Sequence, residues 1–416
     1  MSLGGSATYL QEGEVVLRDL QGLLRKFLDE QVIVVNFTTS TLLPKGENYG
    51  STILKVEAVI KRSKESSEEN LSLVAKMISL IEFQKIHLNN TSSFMKEIYV
   101  FEKLIPSYRA LEKESGIKDK DLFDILPKYY GGRLNRNQEL LNEADEDAVL
   151  LMENLKVRHF HSMNRQQGLD YYHAKQAIDQ LARFHALGRA LKYKNPAFFE
   201  EATKIINVSP FKMSTNEFND IVQHLINMIC TDSRIAKYKD RLQNLIDIGC
   251  NFITPSEISE PWITFAHGDF WVNNIMFQEE SSNIKNIKFV DFQLMKLSSP
   301  LNDIPYFICG SVDINTINEH FDDLLDTYYT KFIKVLNSVH CDVSPFTRKT
   351  FDENLKLQGQ AELLHCLLAV KFFTIEISNE LNLDDLKSSI IMKDASNLFL
   401  DRSYTIISKF IEKEWI

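Results

Sequence analysis

Three oxygen-bearing side chains in this sequence have a spacing that suits phosphoryl transfer. Asp269 follows a His-Gly pair, and Asn274 comes five residues later. Asp291 stands at the end of a later apolar run. A phosphoryl-transfer site needs a carboxylate that orients an attacking hydroxyl and accepts its proton, and it needs oxygen ligands for Mg²⁺. The pattern therefore predicts Asp269 as the catalytic carboxylate and Asn274 with Asp291 as metal ligands.

The segments around these residues predict how they come together. Residues 275–277 and residues 287–290 are short apolar runs typical of strands. The polar residues 278–286 between them suit a hairpin-like connection. Two strands that pair in this way would place the three side chains at one rim.

Two simpler interpretations compete with this one. A lone His-x-Asp is more often a turn with a hydrogen-bonded histidine. A Gly-Asp pair also occurs in metallophosphoesterases, but that class needs Asp-x-His and Gly-Asn-His elements, which this sequence lacks. The spaced asparagine and second aspartate favour the kinase interpretation.

The longer string resembles one family of small-molecule kinases. Residues 267–277 read His-Gly-Asp-Phe-Trp-Val-Asn-Asn-Ile-Met-Phe, and residues 290–293 read Val-Asp-Phe-Gln. Both resemble the ecdysteroid-kinase-like family, which is related to choline kinases and aminoglycoside phosphotransferases, and the resemblance runs over most of the chain. Gln293 replaces the glycine of the protein-kinase Asp-Phe-Gly motif. The family also carries glutamine there, so the departure favours this family over the protein kinases.

The resemblance implies a lysine–glutamate pair in the first half of the chain. Lys76 lies near the end of a strand-like run at residues 71–78 that contains Val-Ala-Lys. Burying an ammonium group without a partner is expensive, so Lys76 either reaches solvent or meets phosphates and a carboxylate. The family pattern implies that it binds the α- and β-phosphates and that Glu97 positions it. Glu97 lies in a predicted helix, residues 91–104, which we expect to end at Pro106.

Two further segments are predicted to contact the nucleotide. The turn at residues 45–51 carries Gly46 and Gly50, and it would cover the phosphates. It lacks Gly-x-Gly-x-x-Gly, so an ordinary hairpin turn is the alternative. An apolar run ends at Glu153, Asn154 and Leu155, and it resembles the strand that joins the lobes of a kinase and binds adenine through its backbone. An edge strand without a ligand is the alternative.

The resemblance implies an α+β, bilobal protein-kinase-like fold. Residues 1–152 would form an N-lobe with an antiparallel sheet and helices, and residues 153–416 a mostly helical C-lobe with the catalytic loop and acceptor pocket. Residues 171–191 show the apolar spacing of a long core helix. In the family, a carboxylate at the position of Asp303 braces the catalytic loop through its backbone, and a helix N-cap is the alternative role. We expect His267 to brace the same loop.

Composition excludes several other classes. The net charge of −10 argues against a nucleic-acid surface. The five cysteines are widely spread without a Cys-x-x-Cys pair, which is typical of reduced thiols in a cytoplasmic protein. No apolar run is long enough to predict a membrane span, and the first 14 residues lack the apolar core of a signal peptide.

These observations predict an enzyme that uses ATP and Mg²⁺ to phosphorylate a small-molecule alcohol. The family resemblance suggests an ecdysteroid or another lipophilic acceptor, such as a xenobiotic. A choline- or aminoglycoside-type kinase is one alternative. A catalytically silent module that binds a nucleotide or steroid on the same scaffold is another.

Overall fold

The structure is a computed structural model, and it describes residues 15–42, 51–78, 89–137, 143–208, 215–248, 260–281, 283–374 and 394–416. The predicted phosphate turn with Gly46 and Gly50 lies outside the described residues. The other predicted site residues all lie within them.

A five-stranded antiparallel sheet dominates the first part of the chain. Its strands are β1 Ile33–Thr41, β2 Ser51–Lys61, β3 Glu68–Ile78, β4 Tyr129–Arg133 and β5 Val149–Glu153. They lie in the order β1-β2-β3-β5-β4, so β3 is central. Apolar groups cover both faces of β3, and its residues are therefore buried without alternation from Leu73 to Ile78. Lys76 lies in this buried stretch, opposite Leu150 of β5.

Helix α1, Leu20–Phe27, packs against this sheet. Leu20, Leu23 and Leu24 lie on one helical face and are buried. The apolar spacing of residues 14–30 predicts a longer helix in this region. Asp19 sets the observed start, because its side chain accepts the Gly22 N–H at 3.0 Å as an N-cap.

Helix α2, Asn90–Tyr99, carries Glu97 and continues through a π-helical turn, Val100–Leu104, into α3, Ile105–Glu114. The prediction that this helix ends at Pro106 is wrong. Proline is tolerated in the first turn of a helix, and Pro106 occupies that position in α3. The Ile105 N–H donates to the Val100 carbonyl, and this wider turn joins the two helices.

The second part of the chain is mostly helical. The helices are α4 Tyr171–Lys194, α5 Pro196–Ile206, α6 Thr215–Ile229, α7 Ser233–Ala236, α8 Lys239–Ile248, α9 Asp303–Ser311, α10 Ile314–Ser338, α11 Arg348–Thr374 and α12 Asn397–Glu412. The predicted long helix is confirmed as α4, which packs along α10. Across the described segments, no helix combines the length and the apolar composition that a bilayer crossing requires.

Five short strands carry the segment that contains the His-Gly-Asp motif. They are β6 Phe160–His161, β7 Thr264–Ala266, β8 Ile275–Glu280, β9 Asn283–Phe289 and β10 Lys296–Ser298. The predicted hairpin is confirmed, because β8 and β9 pair antiparallel with Ile275 opposite Phe289. The Val290 N–H then donates to the Asn274 carbonyl at 3.0 Å. This pairing places Asn274 beside the strand end that leads to Asp291.

Two large hydrophobic cores lie within the described residues. One lies between α1 and the five-stranded sheet, and a larger one surrounds α4 in the helical region. The predicted α+β class, with an antiparallel N-terminal sheet and a helical C-terminal region, is confirmed. Tyr108 and Phe123 precede residue 153 but pack into the larger core. The lobe boundary at residues 152 and 153 therefore stays a prediction.

Candidate active site

A cleft of about 530 Å³ lies between the sheet and the helical region. Eight of the predicted site residues line it: Lys76, Glu97, Glu153, Asn154, Leu155, Asp269, Asn274 and Asp291. These residues come from β3, α2, the end of β5, the loop before β8 and the turn after β9. The fold thus gathers distant parts of the sequence around one cavity.

Lys76 joins the two sides of this cleft. Its Nζ lies 2.5 Å from Glu97 Oε2 and donates to Asp291 Oδ1 at 2.8 Å. Burial alone would lower the pKa of the buried Lys76, but the charges of Asp291 and Glu97 raise it above its usual value. The lysine is therefore a fixed positive charge that faces the centre of the cleft.

Helix α2 also holds the segment after Asp291. Glu97 Oε1 accepts the Phe292 N–H at 3.1 Å, and Lys96 Nζ donates to the Met295 carbonyl at 3.0 Å. Lys96 is fully buried, and burial lowers its pKa to about 8. The sequence analysis missed Lys96. The position of this lysine next to Glu97 on an apolar helix could have indicated its role. The partner of Lys96, the Met295 carbonyl, lies 199 residues away in the sequence.

The backbone at Asp291 has an unusual conformation. Its φ of 67° is left-handed, which is uncommon for a residue with a side chain. This turn follows β9 immediately and directs the carboxylate towards Lys76 and the cleft. Gln293 Nε2 lies 3.4 Å from the other carboxylate oxygen.

Two donors hold the carboxylate of Asp269. Asn274 Nδ2 donates to Oδ2 at 3.0 Å, and the Tyr306 hydroxyl donates to Oδ1 at 2.9 Å. Burial and the nearby charge of Asp291 raise the pKa of Asp269 to about 7, although both hydrogen bonds oppose the shift. A carboxylate with a pKa near 7 is well suited to accept a proton from a hydroxyl group.

The donor set beside Asp269 suits a hard metal ion. Asn274 commits its Nδ2 to Asp269, so its side-chain oxygen is the atom that can bind a cation. Asp291 adds a carboxylate. Within the described ranges, no group of three or more His, Cys, Asp or Glu side chains could hold a metal. Two protein oxygens fit Mg²⁺, which is commonly held by one or two carboxylates plus substrate phosphates.

The loop that carries Asp269 is held in place by the carboxylate of Asp303, at the start of α9. Asp303 accepts the N–H groups of His267 at 2.6 Å and Gly268 at 3.0 Å. The bracing role is therefore confirmed for Asp303, and the N-cap position of α9 belongs to Asn302. His185 Nε2 lies 3.0 Å from the same carboxylate. Although burial acts against it, this contact contributes to holding the pKa of Asp303 below its usual value.

His267 and Gly268 have structural roles in this loop. His267 is fully buried, and burial lowers its pKa to about 4, so the ring is neutral at physiological pH. Its Nδ1 lies 3.4 Å from the Asp269 N–H. Gly268 has φ of 79°, and a Cβ there would lie 2.2 Å from the Leu294 carbonyl oxygen. Glycine is therefore required at this position.

We expect Asp303→Asn to lower the free energy of unfolding by about 2–4 kcal/mol at pH 7, because a buried, hydrogen-bonded charge would be lost. Asp313→Asn is the matched control. Asp313 also accepts two backbone N–H groups, but as the N-cap of α10, where asparagine serves equally well. Urea denaturation of both variants measures the difference. Equal stabilities would contradict the bracing role of Asp303.

The wall of the cleft at the end of β5 is apolar. Its side chains are Leu42, Ile53, Val74, Met152, Leu155, Met276 and Val290. The Glu153 and Asn154 N–H groups donate to Lys128 and Ser72 carbonyls. The Glu153 side chain contacts Arg158 at 3.2 Å and accepts the Lys128 N–H at 2.8 Å. Asn154 Nδ2 donates to Ser72 Oγ at 3.1 Å, and its Oδ1 accepts the Lys156 N–H at 3.2 Å. The side chains of Glu153 and Asn154 are thus engaged within the protein, which leaves the main chain near Leu155 to contact a ligand.

A second part of the cleft, beside Asp269, was not predicted. The loop between β6 and α4 contributes Ser162, Met163, Asn164, Arg165 and Gln166. Trp271 lines the same cleft, and its indole stacks on Phe373 with ring centroids 4.0 Å apart. The loop sequence carries no motif that could have indicated this role. Only the folded chain, which brings this loop to the same cleft as Asp269, reveals it.

The model of one protein family, the ecdysteroid kinase-like family, matches this chain. The match covers residues 45–341, which is more than half of the chain. No curated protein matches the chain.

Solved structures with some similarity include three small-molecule kinases. An ethanolamine kinase from Plasmodium vivax has 12% identity and a TM-score of 0.43, with 91% of this chain and 83% of that chain covered. A choline kinase from Cryptosporidium parvum has 10% identity and a TM-score of 0.41, with 94% of each chain covered. A GDP complex of an aminoglycoside 2′-phosphotransferase has 10% identity and a TM-score of 0.42, with 91% and 94% covered.

Proposed function

Because the chain belongs to the ecdysteroid kinase-like family, we propose that it transfers the γ-phosphoryl group of ATP to a hydroxyl of a small, uncharged alcohol. One observation carries this proposal. Lys76 and Asp291 meet at 2.8 Å across a cleft that also contains Asp269 and Asn274. A phosphate-binding cation, a proton acceptor and oxygen ligands for a metal are the parts that phosphoryl transfer requires.

The nucleotide has a suitable position in this cleft. The apolar wall at the end of β5 would enclose the base, and we assign the main chain near Leu155 as its hydrogen-bonding partner. Lys76, held by Glu97, would then bind the α- and β-phosphates. Asn274 and Asp291 would hold Mg²⁺, which would neutralise the negative charge of the phosphates.

Asp269 has the central role in the chemistry. Its carboxylate orients the acceptor hydroxyl and takes its proton as the oxygen bonds to the γ-phosphorus. The bond between that phosphorus and the β,γ-bridging oxygen breaks, and ADP leaves. The transition state is loose and rich in negative oxygens, so positioning and charge supply most of the acceleration.

Charge in the cleft favours an uncharged acceptor over choline or an aminoglycoside. Four carboxylates in the described lining are already engaged: Glu97, Glu153, Asp269 and Asp291. The part of the cleft beside Asp269 instead presents Met163, Trp271 and the cation of Arg165. A cationic acceptor needs anionic or open aromatic partners, and the indole of Trp271 is already stacked on Phe373. A lipophilic alcohol, such as an ecdysteroid or a xenobiotic, fits this lining better.

A panel of acceptors tests this proposal. We expect ATP-dependent phosphorylation of at least one uncharged steroid or xenobiotic alcohol, with at least tenfold lower kcat/KM for choline and kanamycin. MgATP should also raise the Tm of the wild-type protein, because a ligand that binds only the folded state stabilises it. The Tm shift should be much smaller for Asp291→Asn, the matched variant that loses one proposed metal ligand.

The outcomes separate the competing functions. A MgATP-dependent Tm shift without turnover on any acceptor would favour a silent nucleotide-binding module. Preferred turnover of choline or kanamycin would contradict the uncharged acceptor but keep the kinase function.

A further inference from the structure

The hydroxyl of Tyr306 contacts the proposed catalytic carboxylate of Asp269, but Tyr306 has no role in the reaction as proposed above. We propose that Tyr306 is a positioning residue for phosphoryl transfer, whose hydroxyl fixes the rotation of the Asp269 carboxylate about its Cβ–Cγ bond. This inference rests on the proposed kinase function. It assigns Tyr306 no proton transfer of its own.

The geometry around Asp269 carries the proposal. Tyr306 donates to Oδ1 at 2.9 Å, while Asn274 donates to Oδ2 at 3.0 Å. A carboxylate with one fixed donor on each oxygen cannot rotate without breaking a hydrogen bond. Each carboxylate oxygen can accept more than one hydrogen bond, so Oδ1 can still receive the acceptor hydroxyl. The two donors thus define the direction from which the acceptor approaches.

Helix α9 connects this contact to the brace beneath the loop. Asp303 and Tyr306 lie three residues apart, so they share one face of the helix. Asp303 holds the backbone at His267 and Gly268, and Tyr306 holds the side chain of Asp269. One helical turn therefore controls both the path of the loop and the orientation of its carboxylate.

The ring of Tyr306 is itself held in place. It stacks on His365 with centroids 4.9 Å apart and meets the edge of Phe373 at 6.3 Å. His365 is fixed in turn by Glu362, whose Oε2 lies 2.9 Å from its Nδ1. Because the Tyr306 ring is packed on two sides, its hydroxyl can reach Asp269 only in a narrow range of positions. A hydroxyl held this firmly loses little conformational entropy when it positions the carboxylate.

Tyr306→Phe removes the hydroxyl and keeps the packed ring. We expect kcat for the best acceptor of the panel to fall about 10- to 100-fold, the effect of losing one hydrogen bond to a charged group. KM for ATP and the MgATP-induced Tm shift should stay within twofold, because Tyr306 is not among the described residues that line the cleft. A purely structural role would instead lower kcat, nucleotide affinity and Tm together.

Tyr329→Phe is the matched control. Its hydroxyl donates to the Phe346 carbonyl at 2.9 Å, at a contact unconnected with Asp269. We expect its kcat to stay within twofold of the wild-type value.

A double-mutant cycle completes the test. If Tyr306 acts only through Asp269, then Tyr306→Phe should cause no further loss of kcat in the Asp269→Asn background. Additive losses of kcat in the double variant, or a wild-type kcat for Tyr306→Phe alone, would overturn the proposal. A wild-type protein without turnover on any acceptor would refute the kinase function and this role together. Wild-type turnover with an unaffected Tyr306→Phe would refute this role alone.

Discussion

Asp269→Asn is expected to lower kcat by about 10²–10⁴-fold, which corresponds to roughly 3–5 kcal/mol of lost transition-state stabilisation. Asparagine has nearly the same shape, but it cannot accept the acceptor proton. KM for ATP should change little, because the proposed role of Asp269 is to contact the acceptor rather than the phosphates. Steady-state kinetics on the best acceptor of the panel measures both constants.

The same variant should remain folded, and its stability should respond differently to pH. The pKa of Asp269 is raised to about 7, so the folded protein binds more protons than the unfolded chain between about pH 4 and 7. The wild-type protein therefore loses this contribution to its stability as the pH rises through that window, and Asp269→Asn has no such contribution to lose. The measurement compares the Tm of the variant with that of the wild type, without Mg²⁺, at pH 5 and at pH 8. The difference between the two proteins should shift in favour of the variant at pH 8, by an amount equivalent to ~2 kcal/mol.

Asp313→Asn controls for the loss of an aspartate elsewhere, and it should alter neither kcat nor this pH dependence. Near-wild-type turnover by Asp269→Asn would remove Asp269 from the mechanism. A variant that is inactive because it is unfolded would show no cooperative thermal transition, so the two causes are distinguishable.

Lys76→Met should impair both stability and catalysis. Lys76 is the partner of the buried Glu97 and of Asp291, so its loss leaves two carboxylates close together without a cation. Removing one partner of a buried ion pair typically lowers the free energy of unfolding by about 3–5 kcal/mol. We expect that loss, together with at least a tenfold higher KM for ATP and a kcat reduced about 100-fold or more.

Lys55→Met provides the comparison for this lysine. Lys55 lies on the adjacent strand β2 and pairs with Glu57 at 2.7 Å, but its side chain is 41% exposed. An exposed ion pair contributes less than about 1 kcal/mol, so this variant should be nearly neutral in urea denaturation and in kinetics. If Lys76→Met bound MgATP as tightly as wild type, the phosphate role of Lys76 would be wrong.

Much of the candidate site could be predicted because its signals are local. Asp269 and Asn274 lie within one loop, and the hairpin of β8 and β9 that brings Asp291 beside them shows as two apolar runs around a polar turn. Lys76 stands out for a different local reason, since a lysine within a buried strand needs a partner. Side-chain chemistry and short-range spacing are sufficient for such inferences.

Other features depended on contacts between distant segments. Lys96 is adjacent to Glu97 in sequence, yet its importance rests on a hydrogen bond to the Met295 carbonyl, 199 residues away. The hydroxyl of Tyr306 lies in an apolar helix that the sequence presents as ordinary core. The continuation of the chain from α2 into α3 also depended on a π-helical turn that residue propensities do not indicate.

The sequence by itself determined which groups are able to perform the chemistry: a carboxylate, an amide, a second carboxylate and a lysine with its glutamate. The tertiary structure decided how those groups are held and charged. Lys76 meets Asp291 across 215 residues of chain, and Tyr306 and Asn274 fix the Asp269 carboxylate from opposite sides. Burial and the charge of Asp291 then raise its pKa towards neutrality. The physical reason is that desolvation and electrostatic interactions depend on neighbours in space, and only the folded chain establishes which residues those neighbours are.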